Sequence, residues 1–515
     1  MDRALALASG LLLALSFPRY GHGALGVIAL VPWLVALSGW TGRPGHWPGQ
    51  SASRGAWLGT ITGVVFYSGT LYWTSETVGT FGGLPVPLAM GAAFLLVLYM
   101  SAYLAVAGAV TATLVARLGW VGLPLGATAW VALEYVRGLL IGGFPWIPLG
   151  NTLIDLLPLA QMASVGGIYL LSLFVGLMNA GFALVVMAPP RLRMRVLAST
   201  LVLVTVPALW GAARLGDGRL LASGTPVRVG LVQANVVQLD KWNRAKAGEI
   251  LERYMSLSTR AVEAGARVVL WAESATPFLF DEDLRGQTQV RAFVQSLGVP
   301  LLFGSDEVEH EPEMRFFNSA FMLDGAGATA AVYRKMHLVP FGEWVPFKDW
   351  LFFVKPLVEA VADFSPGTRV TMMPVDGHMI STAICYEVTY PSLMRDAVRQ
   401  GSELLTTITN DAWYGESSAP FQHFEMAAIR AIEQGRYLVR AANTGITGIV
   451  DPYGRIVTRT TLGDTTVVVG DVRFLQERTV YATIGDVVAF ASGLLTLLAL
   501  LAATLRRPWP SSSMN

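Results

Sequence analysis

Three residue types that together can carry acyl transfer stand at or just beyond strand-like runs. Glu273 closes "VVLWAE", Lys335 follows "TAAVYRK", and Cys385 closes "MISTAIC". A thiol attacks a carbonyl as its thiolate, and a free thiol titrates near about 8.5. A neighbouring ammonium favours the thiolate and can hold a developing oxyanion. A carboxylate can take the thiol proton and later move a proton to or from the second reactant. Cys385 is the only cysteine, so the chain has no intramolecular disulfide and no cysteine cluster for zinc or iron–sulfur. Singly, each residue has a blander reading: Glu273 as a solvated strand end, Lys335 as a surface charge, Cys385 as a small core hydrophobe. Strand ends are where α/β folds gather ligands and catalysts, and the three together form a complete set for transfer through a thioester.

The elements that must position them lie between residues 226 and 475. Short β-rich runs occur at 227–236, 266–274, 300–306, 378–387 and 403–411. Helical spacing occupies 245–265 and 421–442. Strands alternating with helices predict an α/β domain.

The rest of the chain has another character. Hydrophobic residues make up 53% and charged residues 14%, well under the roughly 25% charge of a typical soluble domain. The first 225 residues contain no lysine. Apolar runs at 4–17, 24–40, 56–75, 86–115, 119–136, 161–187 and 196–213 predict seven membrane spans, and 484–505 an eighth. The first reads as a span rather than a cleaved signal, because more spans follow and the small-residue cleavage pattern is poor. Arg3, Arg43, Arg54, Arg117, Arg191, Arg193, Arg195, Arg506 and Arg507 all fall on one side if the N-terminus is inside. The positive-inside rule then puts the α/β domain outside, tethered at both ends. The expected division is a transmembrane bundle over 1–225, a catalytic domain over 226–475, and a closing span with a short cytoplasmic tail over 476–515. A net charge of +1 offers nothing to nucleic acid, and nothing asks for an oligomer, so a monomer is expected.

The ordered motifs "WAES", "YRKMHLVPFGEWVP", "ICYE", "TNDAWYG" and "RAIEQGRYLVRAANTGITG" resemble the nitrilase, or carbon–nitrogen hydrolase, superfamily with its Glu-Lys-Cys triad. "KMHLVPFGE", joined to a multi-span first half and a closing span, resembles in particular the apolipoprotein N-acyltransferase family, the membrane-embedded branch. The resemblance implies an α-β-β-α sandwich and a two-step reaction without metal or cofactor. Cys385 would take the sn-1 acyl chain of a phospholipid, typically phosphatidylethanolamine, as a thioester. The N-terminal α-amine of a diacylglyceryl-modified apolipoprotein would then accept it, at the outer face of a bacterial inner membrane. By the same resemblance Glu273 is the general base and Lys335 supports the tetrahedral intermediate. Glu343 and Glu387 are supporting carboxylates, and the Tyr386 N–H is an oxyanion donor. Trp242, Asn318 and Trp413 match pocket positions. Two positions depart from the family pattern: Ala272 stands where proline is usual, and His337 where arginine is frequent.

Lipid substrates require a site open to the bilayer. "EWVPFKDWLFFVKPLVEAV" (343–361) places Trp344, Phe347, Trp350, Phe352 and Phe353 beside Lys348 and Lys355. That mixture suits an interfacial arm guiding acyl chains, with Trp344 and Phe353 as lipid contacts. The competing reading is a helix packed on the domain's own core. Glu134 and Arg137, at i,i+3 within the fifth run, share a helix face and read as a structural ion pair. His22, His46, His310, His378 and His423 show no metal-ligand spacing. Two other functions stay open: a membrane-tethered amidase acting on a small amide, and a catalytically silent lipid- or lipoprotein-binding protein.

Overall fold

The computed structural model describes residues 1–346 and 363–506. The chain divides into two compact units, Met1–Asp217 with Ile484–Asn515, and Gly218–Thr483.

The first unit is helical. Among the described residues, four helical stretches are long and apolar enough to cross a membrane: Val86–Arg137, Ala163–Met187, Pro190–Ala222 and Val487–Leu505. The helix Ala52–Thr70 packs along Val86–Leu118 through Gly55, Gly59 and Gly63. A Cβ on Gly59 would run into the Leu104 carbonyl, so the small-residue stripe is what lets the two backbones touch. The C-terminal helix Val487–Leu505 joins the same bundle, with Thr496 sharing a 2.9 Å hydrogen bond with Thr128. The run 24–40, expected as one span, is divided: a 3-10 turn at Gly23–Val27 precedes a seven-residue helix, Val31–Leu37. Asn179 explains the break, since it accepts from the Leu30 N–H at 2.8 Å and donates to Gly26 O at 2.9 Å. The opened backbone is thus satisfied by a buried amide rather than by its own helix.

Among its described residues the second unit holds twelve strands: β1 (Thr225–Gln233), β2 (Val268–Leu270), β3 (Leu301–Glu309), β4 (Arg315–Leu323), β5 (Thr329–Arg334), β6 (Met373–Val375), β7 (His378–Ile384), β8 (Leu404–Thr409), β9 (Leu438–Ala442), β10 (Gly448–Val450), β11 (Ile456–Arg459) and β12 (Thr466–Phe474). They form two six-stranded sheets, ordered β12-β1-β2-β3-β4-β5 and β11-β10-β9-β8-β7-β6. Parallel pairs at the centre, β1–β2–β3 and β7–β8–β9, are joined by helical crossovers. The helix Ala247–Glu263 turns Ile250, Leu251, Tyr254, Leu257 and Ala261 onto the first sheet, a helical-period stripe. Trp271, fully buried there, donates its indole N–H to Ser258 at 2.7 Å. The run 421–442, expected as one helix, ends as a helix at Gln434; "LVRAA" becomes β9 instead. Gly435, at φ 61°, makes that turn.

Candidate active site

The three sequence-identified residues converge where strand ends of the two sheets meet. Glu273 follows β2 by three residues, Lys335 directly follows β5, and Cys385 directly follows β7. All three are buried: Glu273 is 6% exposed, Lys335 1% and Cys385 5%. Lys335 Nζ lies 3.5 Å from Glu273 Oε1 and 2.7 Å from Glu343 Oε1. Asn318, on β4, donates Nδ2 to both carboxylates, at 2.7 Å to Glu273 and 3.0 Å to Glu343. The second Glu273 oxygen accepts from the Asn410 N–H at 2.8 Å, and the second Glu343 oxygen from the Val339 N–H at 2.8 Å.

Charges set the protonation states. Burial opposes the Lys335 ammonium, but the Glu343 and Glu273 carboxylates outweigh it and hold the group well above its ordinary value. Lys335 is therefore a fixed positive charge. Burial pushes the Cys385 thiol up, the Glu273 charge adds to that, and Lys335 only partly opposes it. The resting thiol is neutral and needs a base.

Cys385 adopts φ 54°, a left-handed conformation rare for a residue with a side chain. Such a conformation costs roughly 1–2 kcal/mol, so neighbours must hold it. His423 does so with Nε2, 3.0 Å from the Cys385 carbonyl oxygen. A carbonyl only accepts, so Nε2 carries the hydrogen. His423 Nδ1 then accepts from Arg440 at 3.0 Å, and Arg440 also reaches Asp411 Oδ2 at 2.8 Å. Glu387, two residues past Cys385, makes no hydrogen bond to the lysine and binds elsewhere. It accepts from the N–H groups of Met336 (2.6 Å), His337 (3.1 Å) and Ile384 (2.8 Å), and from the Tyr333 hydroxyl (2.8 Å). Burial pushes its carboxyl up, yet three converging N–H groups can only donate, which suits the carboxylate. Glu387 thus staples the Lys335 loop to the Cys385 turn.

The remaining predicted residues are dispersed. Asn318 is central and buried, and Tyr386 is fully buried. Trp242 and Trp413 are exposed at 46% and 38%. Trp344 is half-buried and pairs in an isolated bridge with Pro340. Phe353, Phe347, Trp350, Phe352, Lys348 and Lys355 lie outside the described residues, and so does most of the proposed arm. The His337 departure is accommodated by stacking on Tyr390, with ring centroids 4.1 Å apart.

Sequence reasoning missed Lys241, Asp306, Asp411, His423 and Arg440. Lys241 adjoins Trp242 and donates Nζ to the Glu273 carbonyl at 3.0 Å. Its neighbour in the motif "KWN" was the only signal. Asp411 sits inside "TNDAWYG" and Arg440 inside "RAIEQGRYLVRAANTGITG", but His423 comes from a segment read only as helix. Cys385, Asp411 and His423 offer ligand atoms within 4.8 Å of one another. That set does not fit a cation: both Asp411 oxygens and both His423 nitrogens are already engaged by protein groups.

The two sheets with their flanking helices and this convergence define a carbon–nitrogen hydrolase domain, and the Carbon-nitrogen hydrolase family model matches residues 228–480. The model of the Apolipoprotein N-acyltransferase N-terminal domain matches residues 9–181. An apolipoprotein N-acyltransferase of Geobacter metallireducens is 39% identical, over 95% of this chain and 93% of that one. Another, from Pseudomonas aeruginosa, is 33% identical over 98% and 96%. An amidase from Nesterenkonia sp. is 20% identical with a TM-score of 0.38, covering 49% of this chain and 93% of its own. The chain belongs to the apolipoprotein N-acyltransferase family.

In the first unit, Glu134 and Arg137 do not form the expected ion pair. Glu134 Oε1 accepts from Trp130 Nε1 at 2.9 Å and the Leu149 N–H at 2.7 Å. Arg137 donates to the Tyr67 hydroxyl at 2.8 Å and the Trp146 carbonyl at 3.0 Å. Each charge ties the helix Gly122–Arg137 to a different neighbour.

Proposed function

We propose that this chain transfers the sn-1 acyl chain of a phospholipid, through a Cys385 thioester, to the N-terminal α-amine of a diacylglyceryl-modified lipoprotein. The observation that carries this reading is the buried Glu273–Lys335–Cys385 convergence, in a chain whose apolar helices and catalytic domain both match the family over nearly its whole length. Full-length relatedness to N-acyltransferases favours it over the small-amide amidase and over the silent binder.

The geometry supports a definite order of proton movements. Glu273 takes the thiol proton as Sγ attacks the ester carbonyl. The oxyanion forms against the Lys335 ammonium and the Tyr386 N–H. Collapse breaks the ester C–O bond, and Glu273 returns the proton to the departing lysophospholipid oxygen. The free-base amine then attacks the thioester. Glu273 takes the proton that the nitrogen sheds and gives it to the leaving thiolate, closing the cycle. Lys335, held far above neutral pH, donates charge rather than a proton throughout. Glu343 and Glu387 hold the lysine and the nucleophile turn, while Trp242, Asn318, Trp413 and Trp344 line the path of substrate.

The finer parts of the reading follow from the arginine asymmetry and the family. The donor is phosphatidylethanolamine, the membrane is the bacterial inner membrane, the catalytic unit faces the periplasm, and the chain works as a monomer. Intact-protein mass spectrometry after incubation with phosphatidylethanolamine tests the central step. A one-acyl increase, removed by neutral hydroxylamine and absent in Cys385→Ala, is expected. No adduct from any phospholipid on folded protein would end the acyl-transfer reading.

A further inference from the structure

Beside Glu273 the second unit carries a cleft of about 1200 Å³ whose walls include Trp242, Phe278, Phe316 and Phe364. Its lining holds four acidic side chains, Asp306 among them, against a single arginine. Asp306 is the one wired to the catalytic residues. It stands on β3 directly opposite Asn318 on β4. Cross-strand partners project from the same face of a sheet with Cβ atoms about 5 Å apart. Asn318 uses that face to bind Glu273 and Glu343. Asp306 Oδ1 accepts from the Ser274 hydroxyl at 2.8 Å, and Ser274 is the residue after Glu273. Among the described residues, no lysine or arginine pairs with Asp306.

Charge at this wall is unbalanced. Around Asp306 stand the Glu273 and Glu343 carboxylates, with Lys335 held as an ammonium and Lys241 lowered by its burial. Along the cleft itself Glu282, Asp283, Asp306 and Asp363 stand against Arg244 alone, among aromatic walls. A cation on an apolar molecule complements both features. An ion pair formed there, partly shielded from water, is stronger than one at an open surface.

We propose that Asp306 and the cleft walls form a subsite for a primary ammonium group carried on a lipid. The inference rests on the acyl-transfer reading and deepens it. Two reactants of that reading carry this chemistry: the ethanolamine headgroup of the donor, and the α-ammonium of the diacylglyceryl acceptor.

The test uses the full chain in detergent micelles and compares wild type with Asp306→Asn. Thioester formation is timed with dioleoyl phosphatidylethanolamine and with dioleoyl phosphatidylglycerol, which has no amine. The KM of a synthetic diacylglyceryl-cysteinyl peptide is measured in the second step. A fall of about tenfold in the ethanolamine-to-glycerol rate ratio assigns the subsite to the donor headgroup. A rise of about tenfold in acceptor KM, with that ratio kept, assigns it to the acceptor amine. Asp306→Glu, which keeps the charge, should restore part of either loss. Neither quantity moving by more than about twofold overturns the proposal. If Asp306→Asn fails to fold, Ser274→Ala, which frees the carboxylate to rotate, is read by the same two quantities. Wild type forming no thioester from either lipid is a different result, the failure of the acyl-transfer reading itself.

Discussion

The imidazole Nε2 of His423 lies 3.0 Å from the backbone carbonyl oxygen of Cys385, across 38 residues of sequence. The contact gives a strained residue a fixed carbonyl. Burial, with the nearby Arg440 charge, holds His423 below its ordinary value, so the ring is neutral. Burial alone would raise Asp411, but the Arg440 guanidinium keeps it well below the carboxylate range. The result is a buried assembly whose hydrogen bond from His423 fixes the Cys385 carbonyl.

His423 is therefore a positioning residue. His423→Ala should slow thioester formation tenfold or more, an effect on the order of 1.5–3 kcal/mol. His423→Gln, which can place an N–H at the same reach, should recover part of that loss. The alkylation rate of Cys385 by iodoacetamide should follow the same order. Thioester formation at the wild-type rate in His423→Ala would sink this assignment.

Asp306 should cost stability where it is charged. Burial pushes its carboxyl up to about 6, with Glu273 and Glu343 adding to the effect. The unfolded carboxyl releases its proton near about 3.9. Between those values the folded chain keeps a proton that the unfolded chain has lost, so stability falls as pH rises through the window. Asp306→Asn removes this penalty. Its apparent Tm should match wild type near pH 4 and exceed it at pH 7, where the gain in stability is on the order of 2 kcal/mol. A Tm difference independent of pH would contradict the assignment.

Three of the four groups that hold Glu387 are backbone N–H groups, which only donate. Glu387→Gln would turn an amide N–H₂ toward backbone N–H groups already aimed at the carboxylate. The expected cost is about 2–4 kcal/mol, read as a drop of several degrees in apparent Tm. Loss of acylation with no change in Tm would point instead to direct contact with substrate.

In the helical unit, removing one of two buried charges should be worse than removing both. Arg137→Met removes the positive charge three residues from Glu134 on the same helix and takes the donors from the Tyr67 hydroxyl and the Trp146 carbonyl. Adding Glu134→Gln should recover part of the lost thermal stability in detergent, because an unpaired buried charge is the larger penalty. Strictly additive losses would show that the two side chains act independently.

Much of the site was legible because its clues are local. A carboxylate, an amine and a thiol each end a strand-like run, and apolar length and arginine placement mark the membrane half. These signals need only composition, period and position along the chain. Local pattern misled where a distant side chain intervened. The run 24–40 has the apolar length of a span, but Asn179 satisfies its opened backbone. "LVRAA" continues a helical pattern, but it becomes β9 because it completes the second sheet between β8 and β10.

The sequence by itself determined which residues could react and that an α/β domain would carry them beside apolar helices. Only the tertiary structure decided who holds whom. Lys335 lies nearer Glu343 than Glu273, Asn410 reaches Glu273 across 137 residues, and β-strand register sets Asp306 opposite Asn318. Register and sheet-on-sheet packing depend on the burial of the whole core, and no window of sequence contains that information.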